Sequence, residues 1–402
     1  MDEKVDWSEL PIELWPKIGK YLDNHIEILR FRSVCESWRS SIPPSLPNSP
    51  SSFPLTIPHP LNPKLDASLN LATIYLVQPS DSSSSSSSSS NAFLIKVQES
   101  KSLLPSRLLS PISDRNIINH HHHQQLQLGA SSPMVWNLLD YRVFEVSKSY
   151  TIQSYGFGFH AADVNKVVFF PNSCWRHVED SVACSVFKEG RLGLMKHGDE
   201  KWSLVDDKNF YYDDVIVFKG QFYVTDKWGT ISWVDISNSK LVQYSPPLCG
   251  FGNKKHLVES CGSLYVVDRY YESEPRTRRM NLAGVNTRVA AVECFKVYKL
   301  DEEWGTWVNV NDLGDRVFIL GNSCNFSVSA KDVSGYQGNC IYFTDLFDVR
   351  MFNLQDVSIT TVELDPSIEN FCVASPFFGV QNVNLFMLFE LQAYSNNDFN
   401  LK

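Results

Sequence analysis

Two pairs of adjacent carboxylates, Asp206-Asp207 and Asp213-Asp214, are the residues of this sequence best suited to chemistry. Glycoside hydrolysis would need such groups roughly 5–10 Å apart across a cleft. Neighbours on an extended chain point to opposite sides, so both pairs read as turn or strand-edge residues. His120 to His123 place four imidazoles in a row. Adjacent residues do not converge on one ion without a preformed scaffold, so no metal site is expected there. His160 and His256 each lack a nearby nucleophile and read as structural. Gly156-Phe157-Gly158-Phe159-His160-Ala161 imitates a dinucleotide fingerprint, but Val164 to Phe170 after it reads as a strand where that fingerprint needs a helix. No Gly-x-Ser-x-Gly, P-loop or His-Glu-x-x-His motif occurs. The nine cysteines are an odd number without a Cys-x-x-Cys pair. They suggest neither a zinc nor a disulfide framework, and reduced thiols fit the nucleus or cytoplasm. The expectation is a binding protein with no catalytic residue, no cofactor and no metal, and not an enzyme.

The binding elements must then be found in the pattern of apolar residues. Pro11 suits the first turn of a helix and Glu13 its positive end. Leu10, Leu14, Ile18 and Tyr21/Leu22 recur at helical spacing. Asp23-Asn24 interrupts the pattern. Ile28, Phe31, Val34/Cys35 and Trp38 make a second run, which Pro43-Pro44 ends. Residues 4–44 thus read as two or three short helices, too few to bury their own apolar surface, so a partner should cover them.

The order Leu10-Pro11, Leu14, Ile18, Leu22, then Arg32-Ser33-Val34-Cys35-Glu36-Ser37-Trp38-Arg39, resembles an F-box. The resemblance implies docking onto the Skp-family adaptor of a cullin-based ubiquitin ligase, and through it onto the cullin and RING subunits. The family's docking face maps onto Leu10, Pro11, Leu14, Ile18, Leu22, Ile28, Phe31, Val34 and Cys35. Trp38 is expected to lock the last helix into the small core instead.

The rest of the chain is long enough for one large or two medium domains. A formal net charge of −9 argues against a nucleic-acid binder. The charged N-terminus lacks the apolar segment of a secretory leader, and the run Val383 to Leu391 is too short to span a bilayer. No membrane association is expected. Asn325-Phe326-Ser327 is a formal glycosylation sequon that a chain outside the secretory route would not use. Residues 45–68 are rich in Pro and Ser and read as a linker. Leu69 to Val77 and Phe93 to Val97 read as strands flanking the serine run Ser82 to Ser90, which is expected to be a disordered insertion at 80–91; a second, at 116–128, carries the histidines.

From about Tyr150 short β-rich runs follow one another. Gly220-Gln221-Phe222-Tyr223-Val224-Thr225-Asp226 matches Gly262-Ser263-Leu264-Tyr265-Val266-Val267-Asp268, and Gly338 to Asp345 is a looser copy. The spacing of the first two falls inside the period of four-stranded propeller blades. Gly would allow the entry turn and Asp would cap the exit turn. The expected fold is mainly β, a small α module followed by a β-propeller over 69–395. Six blades fit best, with five or seven open.

Val167 to Asn172, Glu200 to Asp206, Asp213 to Tyr223 and Leu313 to Asn322 resemble plant F-box proteins of the SKIP type, whose C-terminal part is a KIB-type β-propeller. The resemblance implies a substrate-recognition subunit of a Skp–cullin–F-box ubiquitin ligase, working in the nucleus and/or cytoplasm. The alternatives are a regulatory propeller independent of the ligase, or a propeller hydrolase. The unknown target protein would bind on loops, which vary without unfolding the ring. The longest candidate is Arg269 to Ala291, with Tyr270, Tyr271, Arg276, Arg278 and Arg279, types that anchor interfaces and pair with acidic groups.

Overall fold

The computed structural model describes residues 10–19, 21–22, 25–41, 53–60, 62–79, 92–98, 107–116, 141–154, 164–171, 180–206, 211–273, 276–280, 285–345 and 348–362. The serine and histidine tracts, the Gly156 to Ala161 run with His160, and the C-terminal stretch from 363 lie outside them.

The N-terminal module is a 3-10 turn over Ile12–Leu14 followed by α1 (Trp15–Gly19), α2 (His25–Ser33) and α3 (Glu36–Ser41). Arg32 donates to the Arg39 carbonyl at 3.1 Å and Arg39 Nε to the Arg32 carbonyl at 3.2 Å, stapling α2 to α3.

Among the described residues, every element after it is a β-strand. β1 (Leu55–Pro58) pairs with β2 (Asp66–Pro79), which also pairs with β3 (Phe93–Gln98), followed by β4 (Arg107–Leu109), and with β5 (Tyr141–Ser154). The predicted linker therefore needs correcting. Phe53, Leu55 and Ile57 are buried against β2 and β5, because alternation of apolar residues survives between the prolines. A second blade is β6 (Val164–Phe170), β7 (Val182–Phe187), β8 (Leu192–Lys196) and β9 (Ser203–Leu204). A third is β10 (Tyr212–Phe218), β11 (Gln221–Asp226), β12 (Ile231–Asp235) and β13 (Lys240–Gln243). The fourth pairs β14 (Lys254–Ser260), β15 (Ser263–Tyr271), β18 (Val292–Asp301) and β19 (Thr306–Val310), with the hairpin of β16 (Arg276–Met280) and β17 (Val285–Val289) inserted between β15 and β18. The fifth is ordered β21 (Asn325–Ser329), β20 (Arg316–Leu320), β22 (Cys340–Asp345), β23 (Asp348–Asn353) and β24 (Ser358–Thr361).

Apolar side chains fill each seam between neighbouring blades. The last seam packs Val317, Ile319 and Tyr342 against Ile74, Leu76 and Leu94 of the first blade, so the ring closes on itself. Strands β5, β6, β10, β14 and β21 surround the centre, each touching the next. The described residues thus form five blades and not the six expected from the repeat period, because the first blade stretches from Leu55 to Ser154.

The repeat lies where the period places it in two blades and not in the third. Lys219-Gly220 and Cys261-Gly262 both have positive φ and form the tight hairpin turns before β11 and β15, each second from the centre. The third copy, β22, is third from the centre. The hairpin β20–β21 adds a strand inside it, and β20 and β22 pair in parallel. Asp226 caps its turn as expected, accepting from Trp228 N and Thr230 N at 2.9 Å.

Candidate interaction faces

The helical module is built around aromatic side chains. Trp15 and Trp38 stack with centroids 4.3 Å apart, Phe31 and Trp38 at 4.4 Å, and Ile28 completes the cluster. Trp38 therefore locks α3 to the small core, as the sequence suggests. Ile28 and Phe31, which the F-box resemblance maps onto the docking face, are buried in the module itself, because their face of α2 turns towards the two tryptophans. Leu10 and Leu22 pack at the edge of the same cluster. Pro11, Ile18 and Val34 are exposed, and Leu14 and Cys35 are half-buried. Ile12 and Tyr21 extend this exposed apolar surface, at 60% and 85% exposure. Ile12 lies off the three-to-four-residue series, so the periodicity alone does not select it.

Arg30 of α2 donates to the Val143 carbonyl at 2.6 Å and lies over the Phe144 ring at 5.6 Å. The module thus meets the ring at the start of β5. That strand runs antiparallel to β6. The contacts of β14 and β21 advance together along both strands, from Leu257–Asn325 to Ser260–Ser327.

At the centre of the ring, Asp213-Asp214 overturns the strand-edge reading. Both lie inside β10, the innermost strand of its blade. Asp214 is buried, 2.7 Å from Lys166 Nζ of β6. It accepts from Leu257 N of β14 at 2.7 Å and from Asn325 Nδ2 of β21 at 2.7 Å. One carboxylate thereby ties four of the five central strands. Asn325, the residue of the formal sequon, is buried within this network. Asp213 faces the other way and accepts from Lys255 N at 2.8 Å. A cavity of about 580 Å³ runs along the centre, with Lys148, Lys166, Val217, Glu259 and Asn325 among its walls. His256 is buried and burial holds it neutral, well below the ordinary imidazole range. Among the described residues no group of His, Cys, Asp or Glu has the arrangement of a metal site.

Burial pushes the Asp213 carboxyl up to about 6, against the opposing pull of the Lys255 amide and of Lys254. A folded-state value above the unfolded one means that the contribution of Asp213 to stability is full below pH ~3.9 and is lost as pH rises through about 6. Asp213→Asn keeps an acceptor for Lys255 N without the charge. It should raise stability at pH 7.5 by about 1–3 kcal/mol and change nothing near pH 3.5, as read from urea denaturation at the two pH values. An equal gain at both would contradict the assignment.

Comparison with known proteins agrees with this architecture. Residues 7–43 match the F-box domain, and residues 66–362 match the KIB1-4 beta-propeller. The chain is an F-box protein of the KIB1-4 β-propeller family. F-box protein At4g35733 of Arabidopsis thaliana is 30% identical over 92% of this chain and 97% of its own length. F-box protein SKIP23 of the same plant is 28% identical over 88% of this chain and 86% of its own.

The propeller places the remaining assigned residues at the end of β15. Tyr270 and Tyr271 pair with Cys294 and Val292 across a bulge. Lys296 lies over the Tyr270 ring at 5.1 Å, and Arg269 over the Tyr271 ring at 5.6 Å. Burial raises the Tyr270 phenol, with the adjacent Asp268 carboxylate adding to it. Arg276, Arg278 and Arg279 are backbone partners of Val289, Thr287 and Asn286 in the hairpin β16–β17. The segment expected to be a loop is therefore a paired ribbon. Glu272 N donates to the Ala291 carbonyl at 2.9 Å and closes its base.

Proposed function

We propose that this F-box protein is the substrate-recognition subunit of a Skp–cullin–F-box ubiquitin ligase. The helical module would hold the adaptor, and through it the cullin and RING subunits. The propeller would hold a protein target, in the nucleus or cytoplasm. The observation that carries the reading is the exposed apolar surface of Pro11, Ile12, Ile18, Tyr21 and Val34, on a module whose own core is already closed by Trp15, Ile28, Phe31 and Trp38. An uncovered apolar face on a filled core is what a partner-binding module presents. Transfer of ubiquitin belongs to the other subunits in this reading, so the propeller needs no catalytic residue.

The test reconstitutes the chain with a Skp-family adaptor, cullin and RING subunits. Co-purification of the adaptor, and ubiquitination of a bound protein only when it is present, are expected. Replacing residues 273–290 by a short Gly-Ser turn tests the Arg-bearing ribbon as a target contact. The cut respects the Glu272–Ala291 closure, so adaptor capture should be unchanged while target ubiquitination falls about tenfold or more. Loss of adaptor binding by the intact chain would sink the proposal, and undiminished ubiquitination by the shortened one would move the target elsewhere on the ring.

A further inference from the structure

Phe251 is 92% exposed, the most exposed large apolar side chain of the described ring. An isolated exposed phenylalanine on a mobile loop would mean little, but this one is held from beneath. Lys255 and Asp268 form an ion pair at 2.8 Å with both side chains fully buried. Lys255 Nζ also donates to the Gly252 carbonyl at 2.9 Å and the Gly250 carbonyl at 3.4 Å. Asp268 accepts from Gly252 N at 3.1 Å. A Cβ on Gly250 or Gly252 would overlap the Asp268 carboxylate, so only glycine lets the loop settle this closely. Cys249 before it has φ of 55°, a left-handed conformation costly for a side-chain-bearing residue.

A second loop is locked to the first. Cys249 N donates to the Trp228 carbonyl at 3.2 Å, and Gly229, with φ of 78°, lies so close to Leu248 that it too admits no side chain. Trp228 stands 45% exposed and packs edge-on against Tyr211, 48% exposed, with centroids 5.4 Å apart. Lys227 Nζ lies 3.7 Å above the Tyr211 ring and 4.8 Å from that of Trp228. Two glycine-dependent loops, a strained cysteine and a buried ion pair therefore hold aromatic rings in water. A buried ion pair is weak as a stabiliser but good at fixing geometry. A backbone fixed in advance beneath Phe251, and rings of Trp228 and Tyr211 already packed together, reduce the entropy lost on binding, which suits an interface anchor.

We propose that Phe251, Trp228 and Tyr211 form a rigid docking platform for the target protein, with Phe251 entering an apolar pocket on an acidic surface. The acidic character follows from charge. Lys227 sits among the rings and brings a positive charge to the platform, within a chain of net charge −9. The assignment rests on the substrate-receptor reading and names the face that reading leaves open.

The test uses the full chain with the photo-reactive residue p-benzoylphenylalanine in place of Phe251, and in a control at Trp304, which is also exposed. Proteins crosslinked from 251 but not from 304 are identified, purified and titrated against unmodified chain. Phe251→Ser should weaken binding about 10- to 100-fold and Lys227→Glu about tenfold, with the Lys227 effect shrinking at high salt. Both variants should melt with the wild type and capture the adaptor equally. A purified protein that binds wild type and Phe251→Ser alike, or crosslinks only to a second copy of this chain or to lipid, overturns the platform. Failure of adaptor capture by the unmodified chain would instead count against the ligase reading, leaving the titrations at Phe251 to stand by themselves.

Discussion

Leu14→Ala together with Ile18→Ala should remove adaptor capture while leaving the molecule folded. Neither side chain belongs to the cluster of Trp15, Ile28, Phe31 and Trp38 that holds the three helices together. Ile18 is 36% exposed and Leu14 half-buried, so truncation leaves no closed cavity inside the module. Their contribution is expected at an interface, where two well-placed aliphatic anchors are worth about 2–5 kcal/mol together, or roughly 30- to 5,000-fold in Kd. Phe31→Ala is the contrasting variant. It opens the module's own core and should cost about 3–5 kcal/mol of module stability. Calorimetric titration against a purified Skp-family adaptor, with helicity followed by circular dichroism, separates the two cases. Wild-type affinity in the Leu14/Ile18 double variant would remove these residues from the docking face.

Asp214→Ala should be the most damaging single change in the propeller. It leaves the Lys166 ammonium buried without its counter-charge and the Leu257 amide without its acceptor. Breaking one partner of a buried ion pair costs about 3–5 kcal/mol, which in a domain of this size lowers Tm by roughly 5–15 °C. Lys166→Met in the Asp214→Ala background should recover part of that loss, since the orphaned charge disappears with the lysine. Thermal melts of the two variants decide it. A Tm within a degree of wild type for Asp214→Ala would mean that the central network does not hold the strands.

The sequence was legible where structure is local. Helical spacing and the Pro43-Pro44 stop locate the module, and the Gly220 and Gly262 turns mark the second strands of two blades, because those signals need only a few consecutive residues. Spacing could not say which face of α2 closes on the tryptophans, so it does not reveal that Ile28 and Phe31 are buried in the module itself. Asp213-Asp214 looked like a polar strand edge because its partners, Lys166, Lys255, Leu257 and Asn325, come from three other blades. The parallel pairing of β20 with β22 is equally silent, since a crossover leaves no turn signature in the strands it joins. Phe251 was missed for a related reason: the Gly-Phe-Gly stretch gains its meaning from Asp268 and Lys255, which hold it.

The seam that closes the ring sets an order of events during synthesis. Ile74, Leu76 and Leu94 leave the ribosome early, yet Val317, Ile319 and Tyr342, which cover them, lie in the last of the described blades. At ordinary elongation rates that interval lasts tens of seconds. Throughout it the first blade presents an uncovered apolar face that cannot be filled locally, and long-range pairings of this kind are slow even once the chain is complete. The nascent protein is therefore a natural client for a chaperone that shields apolar strands. Its yield in cells should follow chaperone supply and growth temperature more closely than the stability of the finished ring.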